Sequence, residues 1–143
     1  MLKILFATAL LLLPSASIAA TISGSGTQPY SCTVVGSSSI SLLSTGQNQL
    51  TATGSGSIYQ NGNTDYTLTA VTASGPDSNI DAIVDANGST FSTRATTAGG
   101  ATQRITGELA ENVTYTVSVF SSDGILTAGN YTASAELTCT AAP

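Results

Sequence analysis

The sequence predicts an all-β fold, a two-sheet antiparallel sandwich with a disulfide joining its first and last strands. Three observations carry this expectation. Apolar and polar residues alternate with a period of two over short runs, and no helical period competes with it. Turn residues recur roughly every 8 to 12 positions, dividing the chain into about eight or nine short strands, as β-sandwiches do. The only two cysteines, Cys32 and Cys139, each fall on the apolar phase of such an alternation. Tyr30-Cys32-Val34 carries the first and Tyr131-Ala133-Ala135-Leu137-Cys139 the second, so both sulfurs point into one core.

Residues 1–20 read as a secretory signal peptide. Lys3 supplies the positive charge, residues 4–13 are apolar, and the small residues up to Ala20 offer cleavage after Ala19 or Ala20. An apolar run of about ten residues is too short to span a bilayer, so no membrane span is expected. The mature chain is then secreted, at the cell surface or beyond it, with periplasmic transit in a bacterium. Such a compartment is oxidising and lets Cys32 pair with Cys139. Closing a loop of about 100 residues contributes about 4 to 5 kcal/mol in the chain-entropy model.

After the leader comes a mobile N-terminal extension over 21–29, marked by Gly24-Ser25-Gly26, and then one sandwich domain over 30–143. Charge is scarce there: Arg94 and Arg104 stand against eight carboxylates. Nothing could neutralise a phosphate backbone, which excludes nucleic acid as a partner. Serine and threonine make up about a third of the mature chain, so hydroxyls solvate its surface, and Thr fits a pleated, half-exposed face. Low charge also leaves strand edges undefended against association.

The strands follow in order. Tyr30 to Val35, Ile40 to Leu43 and Gln49 to Thr53 are short runs, the last ending at the linker-like Gly54-Ser55-Gly56. Ser57 to Gln60 and Thr64 to Val71 flank Asn61-Gly62, and Ile80 to Asp85 and Ser89 to Ala95 flank Asn87-Gly88. Asn-Gly accepts positive φ at both positions, so each pair reads as a hairpin. Gln103 to Leu109 is a further short run, followed by the strict alternation of Val113 to Val119 and a Ser121-Ser122-Asp123-Gly124 turn. Ala128-Gly129-Asn130 leads into Tyr131 to Cys139, expected to pair with or neighbour Val113 to Val119.

Catalytic chemistry finds little footing. The chain has no histidine, which removes Ser-His and Cys-His nucleophiles and His-ligated metals, and its two cysteines are too few for structural zinc. No catalytic residue, cofactor or metal ligand is assigned, and the chain is not read as an enzyme. Glu108 and Glu111 are the nearest acidic pair for a glycosidase, and read instead as solvated residues of a 107–112 loop. Asp77, Asp81 and Asp85 suggest calcium, but Ala82 and Gly88 stand where the EF-hand loop needs its turn Gly and bidentate Glu, so a solvated strand edge is expected. With no tryptophan, Tyr59, Tyr66 and Tyr115 are the available stacking platforms for sugars, and core or cross-strand packing is the expected role of each. Asn87, Asn112 and Asn130 head glycosylation sequons.

The two ends of the mature chain resemble a known family. Ile22-Ser23-Gly24-Ser25-Gly26 followed by Cys32-Thr33-Val34, and Leu126-Thr127-Ala128-Gly129-Asn130-Tyr131-Thr132, are similar to the opening and the final turn of chaperone-usher pilins and spore coat protein U-like subunits. The resemblance implies an immunoglobulin-like sandwich lacking a strand, completed by the N-terminal extension of the next subunit through β-augmentation. It places the donor in residues 21–30, with Ile22 as the apolar anchor and Gly24 or Gly26 where a side chain would clash. It implies self-association or other surface proteins as partners, and a periplasmic chaperone. In the family the bridge usually joins the first strand to one soon after it; here the second cysteine is near the C-terminus, where a bridge would pin the acceptor groove shut. The function expected is a secreted, non-catalytic structural subunit of a fimbria-like or coat-like surface assembly acting in adhesion. The alternative is a self-contained monomeric extracellular domain that binds a glycan or protein.

Overall fold

The structure, a computed structural model, describes residues 25–36 and 41–143. The signal-peptide reading, Ile22, Gly24 and Ile40 lie outside the described residues. Every regular element among those described is a strand: β1 (Cys32–Val35), β2 (Leu43–Ser44), β3 (Gln49–Asn61), β4 (Thr64–Leu68), β5 (Thr72–Ser74), β6 (Ile80–Asn87), β7 (Ser92–Thr96), β8 (Ala101–Ile105), β9 (Glu108–Ser121), β10 (Thr132–Ser134) and β11 (Leu137–Ala141).

A six-stranded antiparallel sheet has the order β1-β3-β9-β6-β7, with β2 lying on the same edge of β3 as β1 but at its other end. Its spine is the long β3–β9 pair, in unbroken register from Gln49 opposite Phe120 to Asn61 opposite Glu108. Over one face of this sheet pack a three-stranded sheet, β11-β4-β8, and a two-stranded one, β10-β5. The core fills the space between. Ile58, Ala86 and Val113 from the large sheet meet Tyr66, Phe91 and Ile105 in one cluster, and Ala82, Val84, Ala95 and Val119 meet Leu68 and Val71 in another. Tyr66 and Phe91 lie edge to face, centroids 5.1 Å apart at 66°. Fully burying side chains of this size stabilises by about 1.5–3 kcal/mol each, so the pair anchors the first cluster.

The all-β class, the antiparallel pairing and the Cys32–Cys139 bridge between first and last strands are as the sequence predicts. Several local expectations are corrected. Tyr131 to Cys139 is not one strand and does not pair with Val113 to Val119: β9 lies between β3 and β6, while β10 pairs with β5 and β11 with β4. The break is a bulge. Leu137 faces Leu68 and the Thr69 N–H donates to the Glu136 carbonyl at 2.9 Å, yet Ser134 faces Thr72, so Ala70 and Val71 oppose Ala135 alone. The Val71 N–H turns away to the Thr96 carbonyl of the other sheet, 2.9 Å distant.

Asn61-Gly62 is not a hairpin turn either, because β3 and β4 belong to different sheets and the dipeptide forms the corner between them. Asn87-Gly88 does begin a true hairpin, β6–β7, but the loop runs through Phe91 and neither residue has positive φ. Gly54-Ser55-Gly56 is no linker: it lies inside β3, and a Cβ on Gly56 would come within 2.1 Å of the Val35 carbonyl and 2.6 Å of the Tyr115 ring. Glycine there lets β1 and Tyr115 approach the strand. Gln103 to Leu109 is likewise two strands, broken at Gly107, whose φ of 80° turns the chain from β8 into β9.

Candidate binding site

The disulfide sits where the two layers meet. In β1, Cys32 is opposite Gln60 of β3, and in β11, Cys139 is opposite Tyr66 of β4, so the bridge ties the edge of the six-stranded sheet to the edge of the three-stranded one. The alternation that placed both cysteines on the inner phase holds, with Val34, Leu137 and Cys139 packed on the first core cluster. The Cα atoms of the pair are 6.2 Å apart. An added strand between β1 and β11 would need two interstrand spacings, about 9.6 Å. At the level of the bridge the seam is therefore closed to one.

Gln60, fully buried beside Cys32, donates its amide to the Ile105 and Gly107 carbonyls at 3.3 and 2.7 Å and so pins the β8–β9 corner. Tyr66 is also fully buried, its hydroxyl has no hydrogen-bond partner among the described residues, and burial pushes its pKa up to about 12.

Above this seam the chain enters the domain. Residues 25–29 are exposed and carry no regular structure. They are tethered by Asn61, which donates its side-chain amide to the Pro29 carbonyl at 2.9 Å and accepts the Ser31 N–H at 2.7 Å. Of the three named donor positions, Ile22, Gly24 and Gly26, the last alone is described, and a Cβ there would meet nothing within 4 Å. Tyr30 continues the inward phase of Cys32 but stands beyond the strand start, so its ring rests over Gly62, its hydroxyl lies 3.0 Å from that of Thr64, and 40% of it remains exposed.

Tyr59 projects from the opposite, outward face of β3 and is 44% exposed. With Gln28, Tyr30, Asn61, Gly62 and Glu108 it lines an open cleft of about 370 Å³. A second cleft, about 450 Å³, lies at the other end of β3 between its leading turn and the 125–131 segment, lined by Leu50, Ile125, Leu126 and Tyr131. The Tyr59 cleft joins two half-exposed aromatic rings to a carboxylate and an amide, a constellation suited to binding a polyhydroxylated ligand.

Other candidates resolve into structural roles. Glu108 and Glu111 are not in a loop but in β9, and an odd spacing in a strand puts them on opposite faces of the sheet, unable to flank one bond. Glu108 enters the cleft. Glu111 points inward and organises the 88–91 loop, accepting the Ser89 hydroxyl at 2.6 Å and the Thr90 and Phe91 N–H groups at 2.9 and 2.7 Å. Burial pushes its carboxyl up, but these hydrogen bonds outweigh burial and hold the pKa below its ordinary value.

The three aspartates of the calcium reading are dispersed. Asp77 accepts the Thr127 hydroxyl, the Tyr131 hydroxyl and the Thr127 N–H, which hold its pKa low. Asp81 accepts the Thr97 hydroxyl at 3.0 Å, and Asp85 pairs with Arg94, its direct cross-strand neighbour. No cluster of three metal-ligating side chains occurs among the described residues. Of the tyrosines expected to pack, Tyr66 does so fully and Tyr115 partly.

Sequence reasoning missed Tyr30 and Asn61 as site residues, reading one as core and the other as a turn. The sequence held no signal for either, because the alternation runs Tyr30 into the first strand and only the structure starts that strand at Cys32. Comparison of the chain with family models, curated proteins and solved structures finds no match in any of the three.

Proposed function

We propose that this chain is a secreted, non-catalytic structural subunit of a fimbria-like or coat-like cell-surface assembly, acting in adhesion, and that its two layers form an immunoglobulin-like sandwich. The observation that carries the reading is the segment 25–29, which leaves the domain exposed and without a ladder of its own, ahead of a β domain with a hydroxyl-rich, weakly charged surface. Such a segment is suited to add as a strand to an exposed edge of another copy, with main-chain hydrogen bonds giving affinity. A disulfide, and no helix among the described residues long and apolar enough to cross a membrane, are compatible with an extracellular or periplasmic location.

The test is an SDS gel, without reductant, of material sheared from producing cells, with boiled and unboiled lanes. A ladder that collapses to one band only on boiling is the expected result, and deletion of residues 21–28 should abolish it while leaving the domain folded. One monomer band in both lanes would sink the assembly reading. A second reading, a self-contained monomeric domain that binds a glycan or protein, is favoured by the 6.2 Å separation of Cys32 and Cys139, which leaves no room for a strand between β1 and β11 at that level.

A further inference from the structure

We propose that the Tyr30–Tyr59 cleft and the outer face of β3–β9 leading to it form one binding track for a neutral polysaccharide chain. The proposal rests on the adhesive part of the function above and supplies its ligand class. It starts from register. The outward residues of the two longest strands oppose one another rank by rank, from Thr51 opposite Ser118 to Ser57 opposite Asn112. All the side chains in those ranks are uncharged and carry a hydroxyl or an amide. Successive ranks are about 6.8 Å apart along the strands and paired side chains about 5 Å apart across them, so the face presents a regular lattice of polar groups.

The next rank is Tyr59 opposite Ala110, with Thr33 of β1 on its other side. Both neighbours are small, so the tyrosine ring stands above the face. One repeat further, Glu108 opposite Asn61 closes the track at the cleft, where Tyr30 offers a second ring. An exposed ring can stack on the apolar face of a pyranose, hydroxyl ranks can exchange hydrogen bonds with sugar hydroxyls, and a carboxylate can orient one of them. Charge selects against anionic polymers: Arg94 and Arg104 are tied to Asp85 and Asp65, and Glu108 lies in the cleft itself.

The test is affinity electrophoresis of the full mature chain in native gels cast with hydroxyethylcellulose, galactomannan, xyloglucan or, as the anionic comparison, polygalacturonate. Retardation by at least one neutral polymer and none by polygalacturonate is expected. Tyr59→Ala should weaken that retardation about tenfold, as loss of an aromatic platform does, while Tyr59→Phe keeps it. Thr53→Asp, which puts a charge in the track, should weaken it as well. Circular dichroism and an intact disulfide check that each variant is folded. No retardation by any neutral polymer, retardation by polygalacturonate alone, or a Tyr59→Ala protein that binds like the parent overturns the proposal. Parent-like binding by Thr53→Asp overturns the track and confines the ligand to the cleft. The strand-assembly reading is judged separately by the gel ladder, so the two can fail independently.

Discussion

At the scale of single residues, two carboxylates with lowered pKa, Glu111 and Asp77, act as local organisers. Glu111 holds the loop that delivers Phe91 to Tyr66, and Asp77 holds the 127–131 segment against the 75–79 turn. Glu111→Ala leaves two backbone N–H groups without their acceptor, so a loss of roughly 1–3 kcal/mol is expected, read from the urea midpoint. Both groups have folded pKa values below their unfolded ones. Their contribution is therefore complete above the ordinary carboxylate range and disappears as pH falls through the lowered values. Urea midpoints that stay level across the acid limb, in both the parent and Asp77→Asn, would contradict this. The alkaline limb has the opposite sign. Tyr131, raised to about 12 first by burial and then by its bond to Asp77, contributes below pH 10.0 and loses that contribution as pH rises through about 12. Tyrosinate absorbance should accordingly show a late-titrating class that holds Tyr66 as well as Tyr131, and Tyr131→Phe should reduce its amplitude by one tyrosine while the Tyr66 contribution stays. None of these partnerships was legible in the sequence, because Glu111 is 20 positions from Phe91 and Asp77 is 50 from Thr127.

At the scale of elements, alternation was read well and pairing was not. Cys32 and Val34 face inward as expected, and so do Tyr131, Ala133, Ala135, Leu137 and Cys139, even though the bulge splits their run into β10 and β11. A period of two states which side chains share a face and says nothing of which strand lies alongside. Asn-Gly permits positive φ without requiring it, so the same dipeptide begins a hairpin at Asn87 and forms an inter-sheet corner at Asn61. Gly56 gave the opposite lesson, since two glycines in three residues suggested flexibility where the strand needed an absent side chain. Gly56→Ala drives a Cβ into the Val35 carbonyl and the Tyr115 ring, and a destabilisation of about 1–3 kcal/mol is expected, measured by chemical denaturation.

At the scale of the whole molecule, the bridge spans 107 residues and joins the sheets at one end of the core. Replacing both cysteines by serine should cost about 4–5 kcal/mol by the chain-entropy model, read as a lowered urea midpoint, and a midpoint within error of the parent would show that the layers hold without it. The sequence by itself determined the all-β class, the inward phase of the two cysteine-bearing runs and the pairing of the two cysteines, because those follow from local period and from there being only one possible bridge. The tertiary structure alone decided which strands are neighbours, that Glu108 and Glu111 part company across the sheet, and that Tyr30 and Tyr59 share a cleft. The physical reason is that strand pairing and side-chain clustering are settled by how the two layers bury a common core, and that packing joins residues that no spacing along the chain relates.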